Sequence, residues 1–238
     1  MRQSAPPAGR PGRLFAWLGG ALFAASLLYF LYVYFVRFGR PAAGGPTAAP
    51  LAFNTILFTV FALHHSALAR SGAKRMVERY VSPALERATY VWISSALFLL
   101  CCHFWQEVPG IVYSLPAVLH PLGWLVQGAG LWLTMGAARR LDVLDLAGIR
   151  QARGGRSATP LQSDGLYGLV RHPLYLAWAL LVFGAPHMTA TRFSFACLST
   201  LYLIVAIPFE ERSLVREFGD EYTAYQRQVR WRMIPGVY

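Results

Sequence analysis

The chain has 238 residues, of which 55% are hydrophobic and 14% charged, with a formal net charge of +11. A soluble globular domain carries about 25% charged residues, so this composition excludes an ordinary water-soluble domain and points to an integral membrane protein. The positive charge does not mark a nucleic-acid binder: the basic residues gather between apolar runs, as in membrane proteins, and neither a basic stripe interleaved with aromatics nor zinc-finger spacing occurs.

Residues 1–13 form a basic tail rich in Pro, Gly and Ala. The uncharged run from Leu14 to Val36 covers 23 residues, longer than a signal-peptide core and enough to cross a bilayer as a helix. It reads as a retained first span. Arg37 to Pro50 holds three prolines and three glycines and cannot continue a helix. A second span is predicted at 51–69, a basic interfacial segment at 70–87 and a third span at 88–106. Residues 107–121 contain no Lys or Arg. A fourth span follows at 122–138, then the longest polar stretch, 139–173.

A fifth, shorter apolar run starts at Leu174 and breaks at Ala185-Pro186, and a sixth covers 193–209. These two are expected to form a hairpin. Residues 210–228 read as an amphipathic helix, with Pro208 suiting its start and Gly219 ending or bending it. The expected fold is therefore an all-α integral membrane protein of about six transmembrane helices with a C-terminal cytoplasmic helix. Its parts are a tail at 1–13, a four-helix transmembrane region at 14–138 and a further module at 139–238. With the N-terminus in the cytoplasm, 19 of the 22 Lys and Arg fall on the cytoplasmic side. Only Arg37, Arg40 and Arg192 fall opposite, so both termini are expected in the cytoplasm.

The ionisable groups inside the spans are His64, His65 and His103, too few to suggest a carrier or proton pump. Adjacent His64 and His65 point in different directions on a helix and have no histidine at i+4, so no metal site is predicted. Cys101, Cys102 and Cys197 lie in apolar runs as small buried residues. No phosphate-binding loop, nucleophile elbow or dinucleotide fingerprint occurs.

Two polar clusters interrupt the second half of the chain. The first is Tyr167, Arg171, His172, Pro173 and Tyr175, at the start of the fifth run. Pro173 suits the first position of a helix, whose free N–H groups favour an anion, and Arg171 would add a fork for a carboxylate. The bland alternative is a basic anchor and a helix start. The second cluster is Glu210-Glu211-Arg212, one hairpin later on the same side. Carboxylates there either complement a helix dipole or bind an ammonium. Tyr222 and Tyr225 share one face of the following helix.

The run Gly165-x-Tyr167-x-x-Val170-Arg171-His172-Pro173-x-Tyr175 resembles the cofactor loop of the isoprenylcysteine carboxyl methyltransferase superfamily. So does Glu210-Glu211-Arg212-x-Leu214-x-x-x-Phe218-Gly219-x-x-Tyr222-x-x-Tyr225, ending near Ile234-Pro235. The resemblance covers 139–238. In the N-terminal half, His65-Ser66-x-x-Ala69-Arg70 and Pro83-Ala84-Leu85-Glu86-Arg87-Ala88-Thr89-Tyr90-Val91 resemble bacterial methanethiol S-methyltransferases and NnrU-like proteins.

The resemblance implies S-adenosylmethionine as methyl donor and a bacterial inner-membrane location. It implies a small-molecule or lipid acceptor, a thiol or carboxylate, entering from the bilayer. Arg171 and the helix start at Pro173 would meet the donor's carboxylate, and Glu210 or Glu211 its amino group or ribose. His172, Tyr167 and Tyr175 would shape the pocket, His172 and Glu211 would serve as catalytic groups, and His65, Tyr222 and Tyr225 would line the acceptor side. An NnrU-like protein without methyltransferase activity and a sterol-reductase-like NADPH enzyme are the alternatives.

Overall fold

The structure is a computed structural model that describes residues 6–68, 77–140, 142–155 and 160–238. The basic segment expected at 70–87 lies in part outside the described residues, as do Ala69 and Arg70 of the first N-terminal motif. The described chain is mostly helical. Its helices are α1 (Arg10–Tyr32), α2 (Ala48–Leu68), α3 (Glu86–Phe104), α4 (His120–Ala138), α5 (Val143–Leu146), α6 (Ile149–Ala152), α7 (Pro173–Phe183), α8 (Ala190–Phe218) and α9 (Asp220–Gln228). A π-helical turn, Val33–Arg37, extends α1.

Among the described residues, four helical segments are long and apolar enough to cross a membrane: Arg10–Arg37, Ala48–Ser66, Glu86–Phe104 and Ala190–Phe218. The first three overlap the first three expected spans. The fourth expected span is a helix, α4, but it carries His120, Gln127 and four glycines and is not among those four segments. The fifth, α7, has 11 residues.

The all-helical expectation needs one addition. In the stretch free of Lys and Arg, Ile111–Ser114 (β1) pairs antiparallel with His187–Thr189 (β2). A second correction concerns α8. Pro208 does not start a helix; it lies inside one that runs unbroken for 29 residues, about 43 Å. Pro208 has no N–H to give the carbonyl one turn back, yet the helix continues through it. The break comes at Gly219, whose φ of 59° and ψ of −128° suit glycine alone.

The chain divides into two compact units. One takes in the described residues of 1–37, 52–106 and 142–159. Here α1 lies against α3: Phe15 stacks on Trp92 at 5.6 Å, and the Trp92 indole N–H donates to the Phe15 carbonyl. Ala16, Ala88, Ala147, Ile149 and Ala152 form a small-residue core that lets these helices approach α6. Gly148 (φ +74°) completes it, since a Cβ there would lie 2.6 Å from the Ala88 nitrogen. Asn54 is fully buried and exchanges two hydrogen bonds of 2.8 Å with the Gln106 backbone, fixing the chain just after α3.

The other unit takes in the described residues of 38–51, 107–141 and 160–238. Its centre is the packing of α7 on α4. Gly130 faces α7 so closely that a Cβ would sit 2.7 Å from the Ala177 oxygen and 2.8 Å from the Leu181 nitrogen. Gln127, buried on the same face, donates to the Leu181 carbonyl. Small residues and one side-chain amide thus bring two backbones together, as transmembrane helices do without a hydrophobic driving force between them. On its other side α7 meets α8, where Trp178 donates to Ser199 Oγ and packs against Phe195.

Candidate functional site

The first polar cluster is held by main-chain bonds at both ends. Pro173 is the first residue of α7, as the sequence predicts, and His172 is its N-cap residue. The His172 carbonyl accepts from the Tyr175 and Leu176 N–H groups, so part of the donor array expected at this helix start is already used. Upstream, the Arg171 and His172 N–H groups donate to the carbonyls of Trp231 and Arg232 at 3.0 and 2.8 Å. The tail beyond α9 therefore runs beside the cluster as an extended partner.

Arg171 turns inward. Its Nε donates to Glu211 Oε1 at 2.6 Å, and its Nη1 donates to the carbonyls of Val229 and Arg230 at 2.6 and 3.1 Å. Both side chains of the Arg171–Glu211 pair are 6% exposed. The fork expected to face a ligand carboxylate is thus occupied within the protein, because the tail supplies carbonyl acceptors just where the guanidinium lies.

Glu210 and Glu211 are neighbours on α8, so their side chains leave the helix about 100° apart. That angle separates their environments. Glu211 is buried, and its second oxygen takes Gln226 Nε2 at 3.3 Å and faces Arg232 Nε at 3.4 Å. The Glu210 side chain is 44% exposed and accepts one hydrogen bond, from the Tyr175 hydroxyl at 2.5 Å.

His172 sits between the two acids. Its ring stacks on Tyr175 with centroids 5.2 Å apart and planes 14° from parallel. Nδ1 lies 3.8 Å from Glu210 Oε2 and Nε2 lies 3.4 Å from Glu211 Oε1. Nε2 is buried and its nearest carboxylate is Glu211, whose carboxyl is held below its ordinary value, against the cost of burial, by His172 and Arg171.

Tyr167, Tyr222 and Tyr225 belong to the layer beneath. Tyr222, Tyr225 and Val229 form a buried core against which Tyr167, Leu161, Leu214, Val215 and Phe218 pack. The Tyr225 hydroxyl donates to the Tyr167 carbonyl at 2.7 Å, tying α9 to the loop before α7. Burial pushes the Tyr222 and Tyr225 phenols up, and the Glu211 carboxylate adds to the shift in both; both stay neutral. Expected to line the acceptor side, these two rings are 1% and 4% exposed and are packing residues. His65 belongs to the other unit, where it stacks on Phe61 at 5.5 Å and its Nδ1 meets the Tyr90 hydroxyl at 2.9 Å.

Sequence reasoning missed Gln226, Arg232 and the carbonyls of residues 229–232. No side-chain pattern marks a carbonyl acceptor, and Arg232 read as one more cytoplasmic cation.

No family model matches the sequence, and no solved structure matches it. Curated proteins do. A methanethiol S-methyltransferase 2 of Bradyrhizobium diazoefficiens is 35% identical over 233 residues, covering 91% of this chain and 87% of that protein. A methanethiol S-methyltransferase of Mycobacterium tuberculosis is 35% identical, covering 79% and 80%. One from Pseudomonas sp. is 34% identical, covering 94% of each. A Nurim protein of Pan troglodytes is 26% identical, covering 76% and 83%. With this identity sustained over nearly its whole length, and with helices apolar enough to span a membrane, the chain belongs to the membrane methyltransferase family that includes the methanethiol S-methyltransferases.

Proposed function

We propose that the protein is an integral membrane methyltransferase that uses S-adenosylmethionine and methylates the thiol of a small, lipophilic acceptor arriving from the bilayer. The observation that carries this reading is the His172 imidazole standing between two carboxylates, with Nδ1 3.8 Å from half-exposed Glu210 and Nε2 3.4 Å from buried Glu211. The residues fit the donor in part. Glu210 suits an ammonium, and Tyr175 holds that carboxylate in place. Arg171 does not fit as a carboxylate clamp, since its Nε and Nη1 are bonded internally.

S-adenosylmethionine, when bound, supplies an electrophilic methyl carbon on a sulfonium. A thiol must first lose its proton, because the thiolate is the nucleophile. In this reading His172 takes that proton, and the flanking carboxylates of Glu210 and Glu211 stabilise the resulting imidazolium. The donor, with its ammonium held by Glu210, would supply the methyl group to that thiolate, and both sulfur products would be thioethers. The remaining requirement is in-line alignment with water excluded. We also propose the six-crossing topology with both termini in the cytoplasm and α7 and α8 as a hairpin, on the strength of the arginine and lysine distribution. Labelling of single cysteines placed in residues 107–121, expected outside, checks it.

The test uses purified protein with methyl-labelled S-adenosylmethionine and, in separate reactions, methanethiol, a prenylcysteine carboxylate and a lipid amine. Labelled dimethyl sulfide from the first reaction alone is the expected result. Turnover confined to the carboxylate or the amine would reject the thiol, and no donor binding by calorimetry would reject the reading as a whole.

A further inference from the structure

One face of α8 carries an apolar track that ends among arginines. Leu201, Val205, Pro208 and Arg212 follow at spacings of four, three and four, so they line one side of the helix. Leu201 and Val205 are 57% and 55% exposed. Where the track ends, an open cavity of about 390 Å³ begins, lined by Pro208, Glu211, Arg212, Val215, Arg216, Gln226 and Arg232.

The charge in this cavity is one-sided. Glu211 is the sole carboxylate of its lining and is already bonded to buried Arg171. Arg232 shares Glu211 at 3.4 Å. Arg212 lies over the Phe209 ring at 5.5 Å, and Arg216 donates to Ser213 Oγ at 2.9 Å. Neither Arg212 nor Arg216 forms an ion pair with a carboxylate among the described residues.

We infer that this cavity binds a phosphate group, with Arg212 and Arg216 as its principal ligands and Arg232, shared with Glu211, beside them. Guanidinium forks match phosphate oxygens in pairs, and two unneutralised guanidiniums beside one cavity attract an anion. The apolar track selects the source. Helix α8 is long and apolar enough to span a membrane, and a membrane lipid whose phosphate meets Arg212 and Arg216 would lay an acyl chain along exposed Leu201 and Val205. A free phosphate would have no use for that track.

This site does not rest on methyl transfer, so its test reads lipid binding. Delipidated full-length protein in phosphate-free detergent is titrated with phosphatidylglycerol, with diacylglycerol and with inorganic phosphate. Native mass spectrometry counts the bound molecules, and thermal unfolding reports stabilisation. Phosphatidylglycerol should be retained and should raise Tm, whereas diacylglycerol should do neither. Replacing Arg212→Gln and Arg216→Gln together should weaken binding about fivefold per guanidinium removed. Arg227→Gln, an exposed arginine on α9 away from the cavity lining, should leave binding unchanged. Inorganic phosphate binding as tightly as the lipid, with the same arginine dependence, would keep the site and assign it to a soluble ligand. Binding no tighter than that of diacylglycerol, undiminished in the double variant, or equally diminished by Arg227→Gln would overturn the proposal.

Discussion

Arg171 Nε and Glu211 Oε1 meet at 2.6 Å with both side chains almost wholly buried. The pair joins the start of α7 to α8, and through the carbonyls of Val229 and Arg230 it also holds the tail. Taking away one member of such a pair leaves the other charge buried and uncompensated, at a cost of about 3–5 kcal/mol. Arg171→Ala and Glu211→Ala are each expected to lower Tm sharply in detergent. Arg171→Met combined with Glu211→Leu should recover part of that loss, since no orphaned charge remains. Single variants that melt with the wild type would contradict this account.

Glu210 stands apart from that scaffold. Glu210→Gln should leave Tm unchanged and weaken S-adenosylmethionine binding about tenfold or more, the scale of one charge-assisted hydrogen bond. Tyr175→Phe keeps the stack on His172 and removes only the hydroxyl that orients Glu210, so a smaller loss of affinity is expected. Calorimetric titration of both variants checks the order of the two effects.

Gly130 and Gly128 give a matched pair on α4. Gly130→Ala would push a methyl group into the α7 backbone, at about 1–3 kcal/mol for overpacking. A Cβ at Gly128 meets nothing within 4 Å, so Gly128→Ala should be neutral or should stabilise the helix by up to ~1 kcal/mol. Thermal unfolding of the two variants separates a packing requirement from a propensity effect.

The Tyr222 and Tyr225 phenols titrate above their ordinary range chiefly because they are buried; the Glu211 carboxylate adds to the rise at Tyr222, and Tyr167 and Glu211 add to it at Tyr225, with Arg171 opposing it at both. A raised folded-state value means that the folded protein holds these protons more tightly than the unfolded chain. Their contribution is therefore complete below the unfolded tyrosine value, about 10, and is lost as pH rises through the folded value. Stability should fall in strongly alkaline buffer, and Tyr222→Phe should blunt that fall. A Tm that is flat with rising pH in the wild type would remove the basis for this expectation.

Much of the outline could be read from residue order. Apolar length alone marked the segments that became α1, α2, α3 and α8, and Pro173 marked the start of α7. The proximity of Arg171 and His172 to the Glu210-Glu211 pair followed from one hairpin's worth of sequence. What could not be read was which atoms those side chains would engage. The acceptors for Arg171 are carbonyl oxygens of Val229 and Arg230, and every residue carries a carbonyl. The split between Glu210 and Glu211 depends on the rotation of α8, which a break expected at Pro208 would have left open. The continuous helix sets that rotation, and with it which acid is buried.

The shortness of α7 has a consequence for where reactants meet. Its 11 residues cover about 16 Å, roughly half of the ~30 Å hydrocarbon layer, too short to cross it alone. Within a hydrocarbon layer exposed carbonyls are not tolerated. The protein meets this demand at the glycine-terminated end, where the Tyr113 hydroxyl lies 3.0 and 3.1 Å from the carbonyls of Phe183 and Ala185. At the other end, the tail accepts the N–H groups of Arg171 and His172. Each end thus carries its own local polar lining. Under the proposed hairpin topology, so short a helix would leave an oily molecule dissolved in the bilayer only a short journey from the imidazole.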